Sequence, residues 1–223
     1  MIDFPQLRRG MVDGQVRTNN VTDLRIVGAM LEIPRERFVP NHLKALAYID
    51  DDLVIRPSAT GKPPRYLIEP MVLARLIQLA EIDAADHVLD VGCGTGYSSA
   101  VLSQLAQQVI AVEDDAALAA DATTTLADLG IGNVAVVQAS LPGGWAPEAP
   151  YDVIVINGAV DVVPQALIEQ MKEGGRLVAV VGQGGAGRAS LLTKVGGAVS
   201  ERVVFNAAVP PLPGFQAPPR FSF

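Results

Sequence analysis

The residues best placed to do chemistry run from Asp90 to Tyr97, where a short apolar segment leads into alternating glycines. Gly92, Gly94 and Gly96 give the spacing G-x-G-x-G. Glycines at such a turn let the backbone come close to a ligand. Open α/β sheets bind their ligands at the carboxyl ends of strands. We therefore expect a ligand site where this segment ends.

Two carboxylates narrow the choice of ligand. Asp90 stands two residues before the first glycine, and Glu113 ends the next apolar segment. A dinucleotide fingerprint needs G-x-G-x-x-G, and Tyr97 occupies the place of its third glycine. An acid is unfavourable beside a pyrophosphate but favourable beside a cationic amino group and a sulfonium. A second acid can accept hydrogen bonds from both ribose hydroxyls. This combination is what S-adenosylmethionine binding needs.

The alternative interpretation of the glycines is a turn that joins a strand to a helix without any ligand. Asp90 and Glu113 each interrupt a buried apolar strand, and burying a charge is unfavourable unless a partner compensates it. The two acids therefore favour the ligand site over the plain turn.

Alternating segments of strand and helix type must position these residues. Strands are predicted at 87–91, 108–112, 134–137, 153–156 and 176–181, with two more within 189–209. Helices are predicted at 69–80, 97–106, 115–129 and 164–171. The strands are apolar throughout, as in a mostly parallel sheet covered on both faces. The fold class is therefore α/β, with a doubly wound, Rossmann-like sheet.

The chain divides into two parts at about residue 69. Residues 1–69 read as short helices followed by a loop at 53–66, where prolines and a glycine act as breakers. Residues 70–223 form the sheet domain that carries the glycine loop.

Composition excludes several classes of protein. Of 223 residues, 49% are hydrophobic and 18% are charged, so the chain is not disordered. A net charge of −7 disfavours a nucleic-acid partner. One cysteine allows no internal disulfide, and two histidines make a metal site improbable. The high apolar fraction fits either a homo-oligomer surface or a well-filled core.

We expect a cytoplasmic protein. No window approaches the length of a membrane span, and the first residues lack the apolar run of a signal peptide. A membrane partner is therefore not expected.

Beyond the glycine loop, nearly the whole chain resembles the protein-L-isoaspartate O-methyltransferases. The N-terminal residues that carry the resemblance are Met11, Val12, Gln15–Arg17, Val21–Asp23, Ala29, Met30, Pro34, Arg35, Phe38–Pro40, Ala47 and Tyr48. The later ones are Pro150–Asp152, Val163–Leu167, Gly174–Val178 and Val209–Pro213. The resemblance implies transfer of methyl from S-adenosylmethionine to isoaspartyl carboxylates in damaged proteins, with S-adenosylhomocysteine as product.

The resemblance also implies which residues hold the cofactor. They are Asp90, Gly92, Cys93, Gly94, Gly96, Tyr97, Glu113, Asp114, Ala139, Ser140 and Asn157. Ala139 and Ser140 replace the family's Gly-Asp after the third strand, and Asn157 replaces its Thr after the fourth. We interpret Cys93 as a packing residue, with a reactive thiol as the alternative.

The acceptor side departs from the family pattern. Family members carry G-x-G-Q-T-I-S before the helix at residue 70, and here Tyr66 takes the place of Thr and Ile68 that of Ser. The acceptor-side candidates are Arg65, Tyr66, Ile68 and Asn157, and no catalytic residue is assigned. Arg65 could clamp an acidic acceptor or form a solvated surface pair. Three functions stay open: the isoaspartyl enzyme, a methyltransferase for another carboxylate or small molecule, and a cofactor-binding module without transfer.

Overall fold

The computed structural model describes residues 2–182 and 186–217 and has a mixed α/β architecture. The strands are β1 (Leu53–Arg56), β2 (Arg65–Leu67), β3 (His87–Val91), β4 (Gln108–Glu113), β5 (Val134–Gln138), β6 (Tyr151–Val160), β7 (Met171–Val181), β8 (Arg188–Val195) and β9 (Ala198–Asn206). The helices are α1 (Phe4–Met11), α2 (Leu24–Glu32), α3 (Pro70–Leu79), α4 (Tyr97–Ser103), α5 (Ala116–Asp128) and α6 (Gln165–Glu169). Short 3₁₀ and π turns connect several of them.

Seven of these strands form one sheet in the order β5-β4-β3-β6-β7-β8-β9. The five strands from β5 to β7 in this order are parallel to one another, while β8 and β9 continue from β7 as an antiparallel meander. The chain leaves β3 towards β4 on one side and later returns to β6 on the other. The carboxyl ends of β3 and β6 therefore border a topological switch point, where doubly wound sheets bind ligands.

Both faces of β3, an interior strand of the sheet, are buried. Val88 belongs to a core cluster that includes Met30 of the N-terminal helices, whereas Leu89 and Val91 belong to a cluster on the opposite side. Successive side chains of a strand point to opposite faces, so an apolar run with no polar alternation is what this position requires. The N-terminal helices thus complete one of the two layers that hold β3 in place.

The predicted loop at 53–66 was wrong at its two ends. β1 and β2 pair antiparallel there, with Leu53 opposite Leu67 and Val54 opposite Tyr66. Leu53 is buried and Val54 exposed, which is the alternation of a half-buried strand. The prolines and the glycine that predicted a loop lie in the connection between the strands. We call residues 53–67 the hairpin.

Neither a membrane-spanning helix nor a metal-binding cluster is found in the described residues. None of the described helices is long and apolar enough to cross a membrane. Among residues 2–182 and 186–217, no group of three or more His, Cys, Asp or Glu side chains is arranged to hold a metal ion.

Candidate functional site

Asp90 lies at the centre of the switch point and is fully buried. Its Oδ2 accepts hydrogen bonds from Ser98 Oγ at 2.8 Å and from Ser99 Oγ, in the first turn of α4. Its Oδ1 accepts one from Asn157 Nδ2 of β6. Burial raises the pKa of Asp90 to about 6, and the three donors oppose that rise. The carboxylate is therefore held rigidly between two strands and a helix.

The glycine loop turns directly after β3. Gly92, Gly94 and Gly96 have φ angles of 78°, 58° and 94°, in the left-handed region that favours glycine. This backbone path lets Gly94 N donate to Glu113 Oε2 at 2.8 Å. The loop and the end of β4 are thus tied together by a charge-assisted hydrogen bond.

Cys93 and Tyr97 of this loop are both packed into the interior. Cys93 is buried, and burial, with the charges of Asp90 and Glu113, raises the pKa of its thiol. That environment disfavours the thiolate and supports a packing role. The Tyr97 ring lies edge-on to Phe38 with ring centroids 5.5 Å apart, beneath the loop.

Glu113 ends β4 and is also fully buried. Its Oε1 accepts a hydrogen bond from Asp115 N at 3.1 Å. Both terminal guanidinium nitrogens of Arg65 donate to it: Nη1 to Oε1, and Nη2 to Oε2 at 2.8 Å. Burial raises the pKa of Glu113 and the Arg65 charge opposes that rise. The result is a forked, buried ion pair between the hairpin and the sheet.

Arg65 was predicted on the acceptor side, and the alternative of a solvated surface pair was wrong. The residue is only 2% exposed. Besides Glu113, its Nη1 contacts Asp114 Oδ1 at 2.8 Å. Tyr66 next to it is half-buried, while Ile68 is buried in the core and accepts a hydrogen bond from Arg35 Nη2 at its carbonyl.

Two apolar side chains cover the glycine loop from above. A Cβ placed on Gly94 would lie 2.7 Å from Ile55 Cδ1 of the hairpin, and one on Gly92 would lie 2.9 Å from Leu212 Cδ2. Leu212 is fixed by two hydrogen bonds between the C-terminal segment and Ala159: Ala159 N donates to Pro210 O, and Leu212 N donates to Ala159 O. The space above the loop is therefore occupied by the chain itself.

The other predicted cofactor residues lie around the same edge of the sheet. Ala139 N donates to Glu113 O at 3.1 Å, and Ser140 is exposed before a 3₁₀ turn. Asn157 Oδ1 is buried without a hydrogen-bond partner. Sequence reasoning missed Ile55 and Leu212, which cover the loop. It also missed the two serines that hold Asp90, although hydroxyls one turn into the following helix were a readable signal.

S-adenosylmethionine, the ligand predicted for this loop, suits the residue types but does not fit the arrangement described. Asp90 is fully buried and already accepts three hydrogen bonds from side chains of the protein. Glu113 has two partners on each oxygen, which uses the whole acceptor capacity of a carboxylate. Ile55 and Leu212 occupy the space a ligand would take against the glycines.

Comparison with known families gives one clear match. The family model described as protein-L-isoaspartate(D-aspartate) O-methyltransferase matches residues 8–213. Protein-L-isoaspartate O-methyltransferase 1 of Rhodopseudomonas palustris (strain HaA2) is 40% identical over 179 residues, covering 80% of this chain and 71% of that protein. The enzyme of Koribacter versatilis is 42% identical over 175 residues, covering 78% of this chain and 76% of that protein.

Solved structures agree. One titled protein-L-isoaspartate O-methyltransferase superposes with a TM-score of 0.80 at 28% identity, covering 93% of this chain. This chain spans 66% of the length of that one. A Plasmodium falciparum protein, solved in complex with S-adenosyl-L-homocysteine, has a TM-score of 0.76 at 17% identity and covers 95% of this chain, which spans 99% of that protein.

These matches confirm the predicted resemblance, the doubly wound α/β fold and the enzyme class, an S-adenosylmethionine-dependent O-methyltransferase. The family's name places its methyl acceptor in proteins. With a match over residues 8–213 and relatives near 40% identity, this chain belongs to the protein-L-isoaspartate(D-aspartate) O-methyltransferase family.

Proposed function

We propose that this chain methylates the carboxylate of isoaspartyl residues in proteins, with S-adenosylmethionine as the methyl donor. The observation that carries the proposal is the placement of Asp90 and Glu113. In a chain of this family, they stand at the carboxyl ends of neighbouring parallel strands, on either side of the glycine loop. A protein containing isoaspartyl residues is the proposed partner.

The chain's own groups suit this task once Glu113 is free of Arg65. Asp90 would attract the cationic end of the cofactor by its negative charge, and Glu113 would accept hydrogen bonds from the ribose hydroxyls. An acceptor carboxylate has an ordinary pKa of about 4 and is ionised at pH 7. It needs no general base, so the residues contribute by positioning and by exclusion of water.

We expect transfer of radiolabelled methyl to an isoaspartyl peptide and not to the same peptide with normal aspartate. The assay is run beside an isoaspartyl methyltransferase of established activity as the positive control. A signal on the isoaspartyl peptide alone supports the proposal. If the control enzyme is active and this chain gives only background on both peptides, the proposal is wrong.

One observation favours a second candidate function, methyl transfer to a different carboxylate or a small molecule. Ile68 takes the place of the family's Ser, and its side chain is buried in the core without a hydroxyl to offer. Loss of one polar contact in a closed site costs on the order of 1–3 kcal/mol of acceptor binding. A panel of carboxylate acceptors, ranked by kcat/KM, separates the two candidates. Cofactor binding without transfer to any acceptor would instead indicate a binding module.

A further inference from the structure

Three cationic side chains of the hairpin pair with three consecutive acids at the end of β4. Arg56 and Lys62 contact Asp115, the N-cap of α5, at 2.5 and 3.3 Å. Arg65 contacts Glu113 and Asp114. The side chain of Lys62 is 59% exposed, so its pair contributes little. Arg65 differs because it reaches the buried carboxylate that the proposed function assigns to the cofactor.

The contacts of Glu113 leave no acceptor site for another molecule. Arg65 Nη1 and Asp115 N share Oε1, and Arg65 Nη2 and Gly94 N share Oε2. An ionised carboxylate has about four lone-pair sites, and all are used. The two backbone donors belong to the loop and the helix start and can stay in place. Arg65 is the partner whose removal would free one position on each oxygen.

We infer that Arg65 is an internal competitor for the cofactor: its guanidinium takes the two positions on Glu113 that a ribose diol would occupy. The inference rests on the proposed function of Glu113. A guanidinium presents two parallel N–H donors to a carboxylate, and a vicinal diol presents two O–H donors to the same pair of oxygens. Only one can be bound, so cofactor binding requires Arg65 to leave.

Room for a ligand against the glycine loop also requires the hairpin to move, because Ile55 of the same element covers the loop. Ile55 of β1 lies against Gly94, and β1 is paired with β2, which carries Arg65. Displacing the hairpin would therefore release both the arginine contact and the apolar cover over Gly94. The apparent Kd for a ligand equals its intrinsic Kd divided by the open fraction. A hairpin closed about 90% of the time weakens binding about tenfold.

The test is calorimetric binding of S-adenosylhomocysteine to the wild-type chain, Arg65→Met and Lys62→Met. Methionine keeps the apolar length of the side chain without the charge. We expect Arg65→Met to bind about tenfold tighter or better. Lys62→Met removes the same charge from the same hairpin but spares Glu113, and its Kd should stay within about twofold of wild type. Arg65→Lys, which cannot make the forked contact, should fall between wild type and Arg65→Met and serves if Arg65→Met does not fold.

A second readout does not depend on affinity. Amide hydrogen exchange in the hairpin should quicken when wild type binds S-adenosylhomocysteine, and should already be quick in ligand-free Arg65→Met. Unchanged or weaker binding by a folded Arg65→Met overturns the inference. If wild type binds well and transfers methyl while Arg65→Met gains nothing, only the competition is wrong. If neither chain binds, the proposed function and the competition both fail.

Discussion

Replacing Glu113 with alanine is expected to lower the free energy of unfolding by about 3–5 kcal/mol. The variant leaves the Arg65 guanidinium, 2% exposed, without its main counter-charge. Removing one member of a buried ion pair is strongly destabilising because the other charge stays desolvated. Gly94 N and Asp115 N also lose their acceptor. Urea unfolding followed by circular dichroism measures the loss.

Two further variants show whether the loss comes from the unpaired charge. Asp114→Ala removes the exposed acid beside the pair, whose side chain is 39% exposed, and should cost below about 1 kcal/mol. The double variant Arg65→Met with Glu113→Met replaces both charges by apolar groups and should recover the part of the loss that comes from the unpaired Arg65 charge, while Gly94 N and Asp115 N stay without their acceptor. Losses that simply add in the double variant, or a Glu113→Ala chain within about 1 kcal/mol of wild type, would contradict the buried pair.

Asp90→Asn is expected to stabilise the fold at pH 8 while removing a pH dependence. Burial raises the pKa of Asp90 from 3.8 to about 6. Between those values the folded chain binds a proton that the unfolded chain does not, so stability falls as pH rises from about 4 to 6. Above pH 6 the full penalty is present, roughly 3 kcal/mol at 1.36 kcal/mol per pH unit. Asparagine carries no charge, so the variant does not have this penalty.

Asparagine also keeps the hydrogen bonds around position 90. Its oxygen can accept from Asn157, and its amide can donate to the hydroxyls of Ser98 and Ser99, which rotate to accept. The stability of both chains is measured by urea unfolding from pH 4 to pH 8. The other carboxylates titrate alike in both, so the difference isolates Asp90. It should be near zero at pH 4 and grow through pH 6. A difference that is flat with pH, or an Asp90→Asn chain less stable at pH 8, would show the prediction to be wrong.

The strands around the site were predictable because apolar runs of strand length end there at glycines or acids. β3 was predicted with its observed bounds, and β4 extends by one residue, Glu113, beyond its prediction. β6 is longer than predicted at both ends, and at its carboxyl end it continues through Gly158, a residue type that usually interrupts a strand pattern. The hairpin was missed because its strands are short and its connection is rich in proline.

The two acids and the glycine loop were also predicted, since each stands at a strand end that topology brings together. The ion pair between Arg65 and Glu113 was not predictable from one sequence. The two residues are 48 positions apart, and nothing local to either of them requires the other. The cover by Leu212 has the same origin, because a contact of the C-terminal segment with β6 places it. Tertiary packing determines both the ion pair and the position of Leu212. Sequence periodicity and turn residues do not indicate which distant segments come into contact.

The single cysteine of the chain, Cys93, lies between Gly92 and Gly94, the two glycines that Leu212 and Ile55 cover. Its rate of modification therefore offers a measure of hairpin opening. Cys93 is 3% exposed, so a thiol reagent should modify it in open states of the chain, at a rate that scales with the open fraction. Every modified thiol reports one position because no other cysteine competes. Labelling should be slow in wild type and faster in Arg65→Met. The fraction of time that the glycine loop is exposed to solvent can then be measured with ligand-free protein and a thiol reagent.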